Sequence, residues 1–81
     1  MSPVIVYSSN SCPNCENLKK ALTIKAIEYQ EVNITEQPQE AQMLREKGFR
    51  QLPVIEDNGE WMSGFTPQNF TKIVKAHTAT A

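Results

Sequence analysis

The sequence predicts a small α/β domain, in which a mixed four-stranded sheet is flanked by three helices in the order β-α-β-α-β-β-α. Short runs of β-branched and aromatic residues alternate with segments of helical periodicity, and one Asn-Gly pair marks a tight hairpin. The chain has 81 residues, enough for one domain and too few for two. We therefore expect one domain over residues 1–81, with a frayed tail at residues 77–81.

The first half of the chain predicts a strand, a helix and a second strand. Residues 4–7 are β-branched or aromatic, which is typical of a short buried strand. From residue 13 to about residue 27 the apolar positions follow helical spacing, with Cys15 on the apolar face. The alternation over residues 28–34 predicts the second strand. A crossover helix joins parallel strands, so these two strands should be parallel with a right-handed connection.

The second half adds a helix, a hairpin and a last helix. Residues 38–47 predict the helix, and residues 52–55 predict a third strand that a proline enters. A turn at residues 57–59 leads to a returning strand at residues 60–63, antiparallel to the third. Pro67 then opens the last helix.

Charge and hydropathy exclude several classes of function. The formal net charge is −1 at pH 7, so no general positive field would attract nucleic acid or an anionic membrane. The apolar run at residues 4–7 is far too short for a transmembrane helix or a signal-peptide core. We therefore expect a cytoplasmic protein, a monomer, that binds neither nucleic acid nor membrane.

The two cysteines of the chain carry the clearest chemical signal. Cys12 and Cys15 have C-x-x-C spacing and lie where the first strand passes into the first helix. The free N–H groups and positive dipole of a helix N-terminus favour a thiolate over a thiol. Cys12 should be exposed there, while Cys15 lies one turn inward. We infer thiol–disulfide exchange, in which Cys12 attacks a partner disulfide and Cys15 then attacks Cys12.

Other uses of the cysteine pair fit the sequence less well. A structural zinc site needs four ligands, and the chain offers two thiols and His77 near its end. A dimer that shared two such pairs could hold a metal or a cluster, and a non-catalytic binding module is also possible. A purely structural disulfide would close a loop too small to constrain the unfolded chain. We therefore expect redox chemistry with no metal and no cofactor.

A second stretch of interest runs from residue 47 to residue 57 and contains Leu52-Pro53. A proline at this point indicates a strand start, an edge or a bulge. It could also be a cis proline beside the thiols, which would leave the preceding residue offering backbone groups to an extended peptide. Phe49 and Phe65 are either core residues or an exposed apolar rim that suits docking.

Three motifs together resemble a known family. They are CPNC at residues 12–15, GFRQLPV at residues 48–54 and SGFTP at residues 63–67. With the order of elements, they resemble the glutaredoxin-like branch of the thioredoxin fold and, more narrowly, the NrdH-type redoxins. The resemblance covers roughly residues 3–76. It implies a thioredoxin-like fold and a role as electron donor to ribonucleotide reductase.

The resemblance also implies roles for individual residues. Cys12 is the nucleophile in this family, Cys15 resolves the mixed disulfide, and Pro53 is cis. The residues expected to contact a substrate or partner are Pro13, Asn14, Gln51, Leu52, Pro53, Ser63, Gly64 and Phe65.

The chain lacks the charges with which ordinary glutaredoxins hold glutathione. Residues 8–11, before the first cysteine, contain no lysine, and residues 63–66 have one glycine and no acid. A small charged tripeptide would therefore find few charge partners. This favours a protein partner over glutathione. The resemblance implies reduction by thioredoxin reductase, and a glutathione-dependent glutaredoxin is the alternative.

Two positions depart from the usual redoxin pattern Trp-Ser-Gly-Phe-Arg-Pro. Trp61 lies one place early, with Met62 in its usual position, and Thr66 replaces the arginine. A shift of one residue on a strand moves a side chain to the other face. We therefore expect Trp61 to point away from its usual place and one of these two residues to be core.

Overall fold

The computed structural model describes residues 3–78 and confirms the predicted order of elements and the thioredoxin-like fold. The strands are β1 (Val4–Ser8), β2 (Tyr29–Asn33), β3 (Val54–Asp57) and β4 (Glu60–Ser63), and the helices are α1 (Pro13–Ile24), α2 (Pro38–Glu46) and α3 (Pro67–Thr78). The strand order is β2-β1-β3-β4, in which β1 is parallel to β2 and β3 is antiparallel to both β1 and β4. None of the helices within residues 3–78 is long and apolar enough to cross a membrane.

The strand register brings three connections to one end of the sheet. Ser8 pairs with Asn33, so β1 and β2 finish together. Tyr7 pairs with Val54, so β3 begins at that same end. The chain leaves β1 there and reaches Cys12 within a few residues. We call this the thiol end of the sheet.

One face of the sheet, which we call the closed face, is covered by α1 and α3. Its core joins strand residues to Leu18 and Leu22 of α1 and to Ile73 of α3, all three of which are fully buried. The other buried members of this cluster are Val4, Val6, Ile27, Ile55 and Met62. This core holds α1, and with it the cysteines, firmly against the sheet.

The opposite face, which we call the open face, is covered by α2 alone. Among residues 3–78, the buried members of its apolar cluster are Tyr7, Leu44 and Val54. Around them lie partly buried apolar side chains, namely Ile5, Val32, Ile34, Met43, Phe49, Leu52 and Trp61. One short helix cannot cover the whole face, so apolar surface remains accessible.

Helix α1 is shorter than predicted, since it ends at Ile24 rather than near residue 27. Ala26 takes a left-handed conformation with φ of 57°. The turn lets the N–H of Ile27 donate to the carbonyl of Leu22 at 2.9 Å. Ile27 is buried for this reason, although it lies outside the helix. Apolar spacing alone does not reveal where the backbone leaves the helix.

Strand β3 begins at Val54, two residues later than predicted, and includes Asp57. Pro53 has no N–H to donate to the ladder, so pairing starts after it. The hairpin turn itself is confirmed, because Asn58 and Gly59 both have positive φ, of 53° and 87°.

Helix α3 continues through His77 to Thr78, the first two residues of the predicted frayed tail. His77 Nε2 lies 2.9 Å from Asp57 Oδ1, and both side chains are nearly buried. This contact fastens the end of α3 to the end of β3, opposite the thiol end. The rest of the predicted tail, residues 79–81, lies outside the described residues.

Candidate functional site

Cys12 is the N-cap residue of α1 and Pro13 is its first helical residue. The backbone of Cys12 is extended, with φ of −134° and ψ of 92°. Its Sγ accepts a hydrogen bond from the N–H of Cys15 at 3.1 Å. Pro13 suits its position because it has no N–H and a fixed φ. The cysteine sulfur thus takes the place of the oxygen that usually caps a helix.

The two cysteines differ in exposure, as predicted. They form a disulfide with their Cα atoms 5.2 Å apart. Cys15, in the first turn of α1, is completely buried, whereas Cys12 is partly exposed. Pro13 and Asn14, the residues between them, are exposed. A partner that approaches the thiol end therefore meets Cys12 and the Pro13-Asn14 turn before it could reach Cys15.

The loop that leads to Cys12 is tied to the end of β2. Asn33 Nδ2 donates to Asn10 Oδ1 at 2.8 Å, and the N–H of Asn10 donates to Thr35 Oγ1 at 3.3 Å. The N–H of Ile34 donates to the carbonyl of Ser8 at 2.8 Å. These bonds fix the path of the chain between β1 and the cysteine.

Leu52 and Pro53 lead into β3 at the thiol end, and the peptide bond between them is cis, as the resemblance implied. The carbonyl of Pro53 accepts a hydrogen bond from the N–H of Gly64 at 2.8 Å. Gly64 has φ of 87°, and a Cβ added there would lie 3.6 Å from Gln51 Oε1. The structure thus brings together four of the predicted partner residues, Gln51, Leu52, Pro53 and Gly64.

Asn69 holds the loop that contains Ser63 and Gly64, a role that sequence reasoning missed. Its Nδ2 donates to the carbonyls of Ser63, at 3.0 Å, and Gly64, at 2.9 Å. Its N–H donates to Thr66 Oγ1 at 3.1 Å. The sequence indicates only the bond to Thr66, because threonine is a common residue just before a helix; the two bonds to carbonyls follow no local pattern.

Phe49 and Phe65 do not form a common rim beside the thiols. Phe49 is half-buried on the open face. Phe65 is half-buried against the closed face, where it meets Phe70 edge-on with ring centroids 5.8 Å apart. Each ring is therefore partly packed in a core and partly accessible at the surface.

Trp61 and Met62 point to opposite faces of the sheet. Met62 belongs to the core of the closed face. Trp61 lies on the open face, where its ring stacks on Tyr7 and Phe49 with centroid distances of 5.6 and 6.0 Å. Lys47 Nζ lies 4.7 Å from the centroid of the same ring. The expectation of one core residue is confirmed for Met62.

A charged network connects β1, β2 and α1 on the closed face. Ser8 Oγ donates to Glu31 Oε2 at 2.6 Å, and Lys19 Nζ donates to the same oxygen at 2.8 Å. The hydrogen bonds from Lys19 and then Ser8 lower the pKa of Glu31, against the opposing effect of burial. Hydrogen bonds to Glu16 and Glu31 raise the pKa of Lys19. Lys19, the first lysine after the cysteines in the sequence, thus stays protonated and pairs its charge with two carboxylates.

One further titratable group lies under the open face. Burial raises the pKa of Tyr7, and the negative charges of Glu40 and Glu56 raise it further. Its phenol is therefore neutral at pH 7. Within residues 3–78, no group of three or more His, Cys, Asp or Glu side chains could hold a metal ion.

Comparison with known proteins identifies close relatives. Residues 4–62 match the glutaredoxin family. The chain is 41% identical over 70 residues to a glutaredoxin-like protein NrdH of Lactococcus lactis, a match that covers 86% of this chain and 97% of that protein. It is 33% identical over 79 residues to an Escherichia coli NrdH, with 96% of this chain and 98% of that protein covered.

A solved structure agrees with these relatives. The NrdH-redoxin of Escherichia coli superimposes with a TM-score of 0.82 and 31% identity, covering 88% of this chain and 93% of that one. That glutaredoxin-like protein is described as having a thioredoxin-like activity profile.

Proposed function

Because the chain belongs to the glutaredoxin family and is a thiol–disulfide oxidoreductase of the NrdH type, we propose that it carries electrons from thioredoxin reductase to ribonucleotide reductase. It does so as a cytoplasmic monomer that needs no cofactor of its own. One observation carries the proposal, namely the unequal exposure of two cysteines at the N-terminus of α1.

The exchange begins at the exposed sulfur. The Cys12 thiolate attacks one sulfur of the disulfide in ribonucleotide reductase, forming a mixed disulfide and releasing the other sulfur as a thiolate. Cys15 loses its proton and attacks Cys12 Sγ. The second partner sulfur leaves as a thiolate, and the Cys12–Cys15 disulfide forms. Two electrons have passed to the partner, and thioredoxin reductase restores them.

The helix supports the first of these steps. In the disulfide form the N–H of Cys15 already donates to Cys12 Sγ at 3.1 Å. In the reduced form the same N–H can donate to the thiolate, and hydrogen bonds to a charged group stabilise it. Pro13 and Asn14 are exposed on the approach to Cys12 and form the contact surface next to it.

Pro53 and its neighbours form the second contact surface. Gln51 and Leu52 directly precede Pro53 and β3, and Gly64 joins them through its hydrogen bond to Pro53. Ser63 and Phe65, which flank Gly64 in the chain, extend this surface. An extended segment of the partner could pair there with exposed backbone groups.

Thioredoxin reductase is preferred over glutathione as the electron source. Residues 8–11 and 63–66 contain no charged side chain with which to hold the tripeptide. The Escherichia coli relative has a thioredoxin-like activity profile, which supports the same choice for this chain.

The decisive assay follows NADPH oxidation with two reducing systems, thioredoxin reductase alone and glutathione with glutathione reductase. We expect turnover of a disulfide substrate only with thioredoxin reductase, and we expect ribonucleotide reductase to turn over when it is the acceptor. Turnover only with glutathione would overturn the choice of reductase.

A cysteine variant separates the carrier from a metal or cluster protein. Cys15→Ser should accumulate a mixed disulfide with the partner, which a non-reducing gel detects, and Cys12→Ser should accumulate none. A cluster carrier would trap no partner and would absorb visible light when purified without oxygen.

A further inference from the structure

A groove on the open face is not used by the chemistry described so far. It is a cavity of about 490 Å³ between α2 and the segment that leads to Pro53. Its apolar floor includes Ile34, Leu44, Phe49 and Leu52. A volume of this size lies within the usual range of ligand sites.

Two arginines stand at the rim of this groove. Arg45 lies on α2 and Arg50 lies before Leu52. Both are exposed, and neither guanidinium takes part in an ion pair or a side-chain hydrogen bond with any residue between 3 and 78. None of the described residues that line the groove is acidic. The groove thus combines an apolar floor with two guanidiniums that are open to an anionic group.

The groove opens at the thiol end of the sheet. Ile34 directly follows β2, and Val54, which also lines the groove, is the first residue of β3. Both strands meet the last residues of β1 at this end, as the pairs Ser8 with Asn33 and Tyr7 with Val54 show. A chain segment that occupied the groove could therefore continue past Leu52 and Pro53 toward Cys12.

We propose that this groove binds an extended acidic segment of the redox partner, one that carries a large apolar side chain next to carboxylates and lies beside the partner's reactive disulfide. The apolar side chain enters the floor, and the carboxylates meet Arg45 and Arg50. This rests on the proposed function, since it assigns a docking site to the same exchange reaction. Guanidinium groups favour carboxylates because they can donate two parallel hydrogen bonds.

The chain supplies its own probe of occupancy. Trp61 is the only tryptophan, and it stacks on Phe49, which lines the groove. A segment that fills the groove should therefore change the tryptophan fluorescence. The test ligand is the blocked peptide acetyl-Gly-Glu-Asp-Phe-Glu-Glu-amide, which contains neither tryptophan nor cysteine. Its control replaces each Glu with Gln and the Asp with Asn.

We expect the acidic peptide to change the Trp61 signal saturably and to bind about tenfold more tightly than its neutral control. The double variant Arg45→Gln/Arg50→Gln should lose this preference, while its urea midpoint shows that it is folded. The matched variant Lys25→Gln/Lys75→Gln removes the same charge from exposed positions outside the groove. It should bind the acidic peptide as the original protein does.

Three outcomes would overturn the proposal. The first is equal affinity for the acidic peptide and its neutral control. The second is an equal loss of affinity for the acidic peptide in the arginine and lysine variants. The third is tighter binding of glutathione than of the acidic peptide, measured by competition for the groove. The last result would make the tripeptide the occupant.

The fluorescence titration involves no electron transfer, so it is independent of the NADPH assay. If ribonucleotide reductase turns over but the acidic peptide does not bind, the docking proposal fails and the proposed function stands. If the peptide binds but ribonucleotide reductase does not turn over, the site stands and the identity of the partner fails.

Discussion

The two faces of the sheet differ in how completely helices bury their apolar side chains. The closed face has eight buried residues in one cluster, drawn from three strands, two helices and Ile27. The open face has three buried residues and a surround of partly buried apolar side chains under one short helix. Both faces belong to the same four strands, so the difference comes from the helices that cover them.

The two faces also differ in which parts of the site they position. The closed face holds α1, whose N-terminus presents the cysteines, and a tight core keeps that geometry constant. The open face leaves apolar surface and a groove next to Leu52 and Pro53. Apolar surface that remains accessible on a small protein commonly marks a site of interaction. The core that holds α1 and the groove proposed as a docking site thus lie on opposite faces of the same sheet.

The largest expected effect compares the same substitution on the two faces. Leu22→Ala should lower the free energy of unfolding by about 3–4 kcal/mol, because Leu22 is fully buried and the cavity would stay empty. Leu44→Ala should cost about 2 kcal/mol, because Leu44 already lines the groove and water can enter the space. Urea unfolding measures both. Equal costs would show that the open face is as well packed as the closed one.

The contact between α3 and β3 is expected to rank next. His77→Ala removes the partner of Asp57, whose side chain is only 5% exposed. A buried carboxylate without a partner is costly, so we expect a loss of about 2 kcal/mol at pH 7. The control Lys72→Ala breaks the exposed bond to Glu60 and should cost less than about 0.5 kcal/mol. Thermal unfolding decides, and similar losses in the two variants would refute the ranking.

A smaller effect, of opposite sign, is expected at the end of α1. Ala26 has φ of 57°, a conformation that favours glycine. Ala26→Gly should therefore raise the free energy of unfolding by about 1 kcal/mol. Ala76→Gly, in the last turn of α3, should instead lower it, by less than the about 1 kcal/mol that glycine costs in a helix interior. If both substitutions destabilise, the turn is not strained by its alanine.

The smallest effect concerns Glu31, which links β2 to α1. Its pKa is lowered mainly by Lys19 and then by Ser8. The stability it contributes is thus present above the usual glutamate pKa of about 4.3 and is lost as the pH falls through the lowered value. Because its side chain is 36% exposed, Glu31→Gln should cost less than about 1 kcal/mol at pH 7.

The pH profile of that variant distinguishes the network from a general effect of charge. The difference from the original protein should shrink as the pH falls below about 4. Glu46→Gln, on α2, removes an acceptor that receives only a 3.3 Å bond from Gln42. It should not lower the free energy of unfolding at pH 7. A difference for Glu31→Gln that persists at pH 2 would contradict the ion-pair explanation.

Much of the fold could be predicted because local patterns and connection rules agree. The period-two strands, the crossover helix and the Asn58-Gly59 turn all favour the same topology, and the structure has it. Boundaries were less accessible. Ile27 keeps the apolar spacing of α1 although the helix has ended, since a turn at Ala26 returns it to the core.

The site was predictable where it depends on neighbours in the chain and not where it depends on partners far away. The burial of Cys15 and the partial exposure of Cys12 follow from their positions in one helix. The bond between His77 and Asp57 joins residues 20 positions apart, and no local pattern indicates it. The groove depends on the coverage of the sheet by α2, which emerges only from the packed structure.

The position of the Cys12 sulfur at the N-cap of α1 has a consequence for electron transfer. In the oxidised form, the Cys12–Cys15 disulfide links the N-cap of α1 to its first turn. In the reduced form, the hydrogen bond from the N–H of Cys15 to the Cys12 sulfur can still link the same two residues. The surface around Cys12 can therefore keep its shape when the protein changes between its oxidised and reduced forms. A donor and an acceptor then meet nearly the same shape, and the direction of flow is set by the reduction potentials of the two partners rather than by a change in which of them can dock.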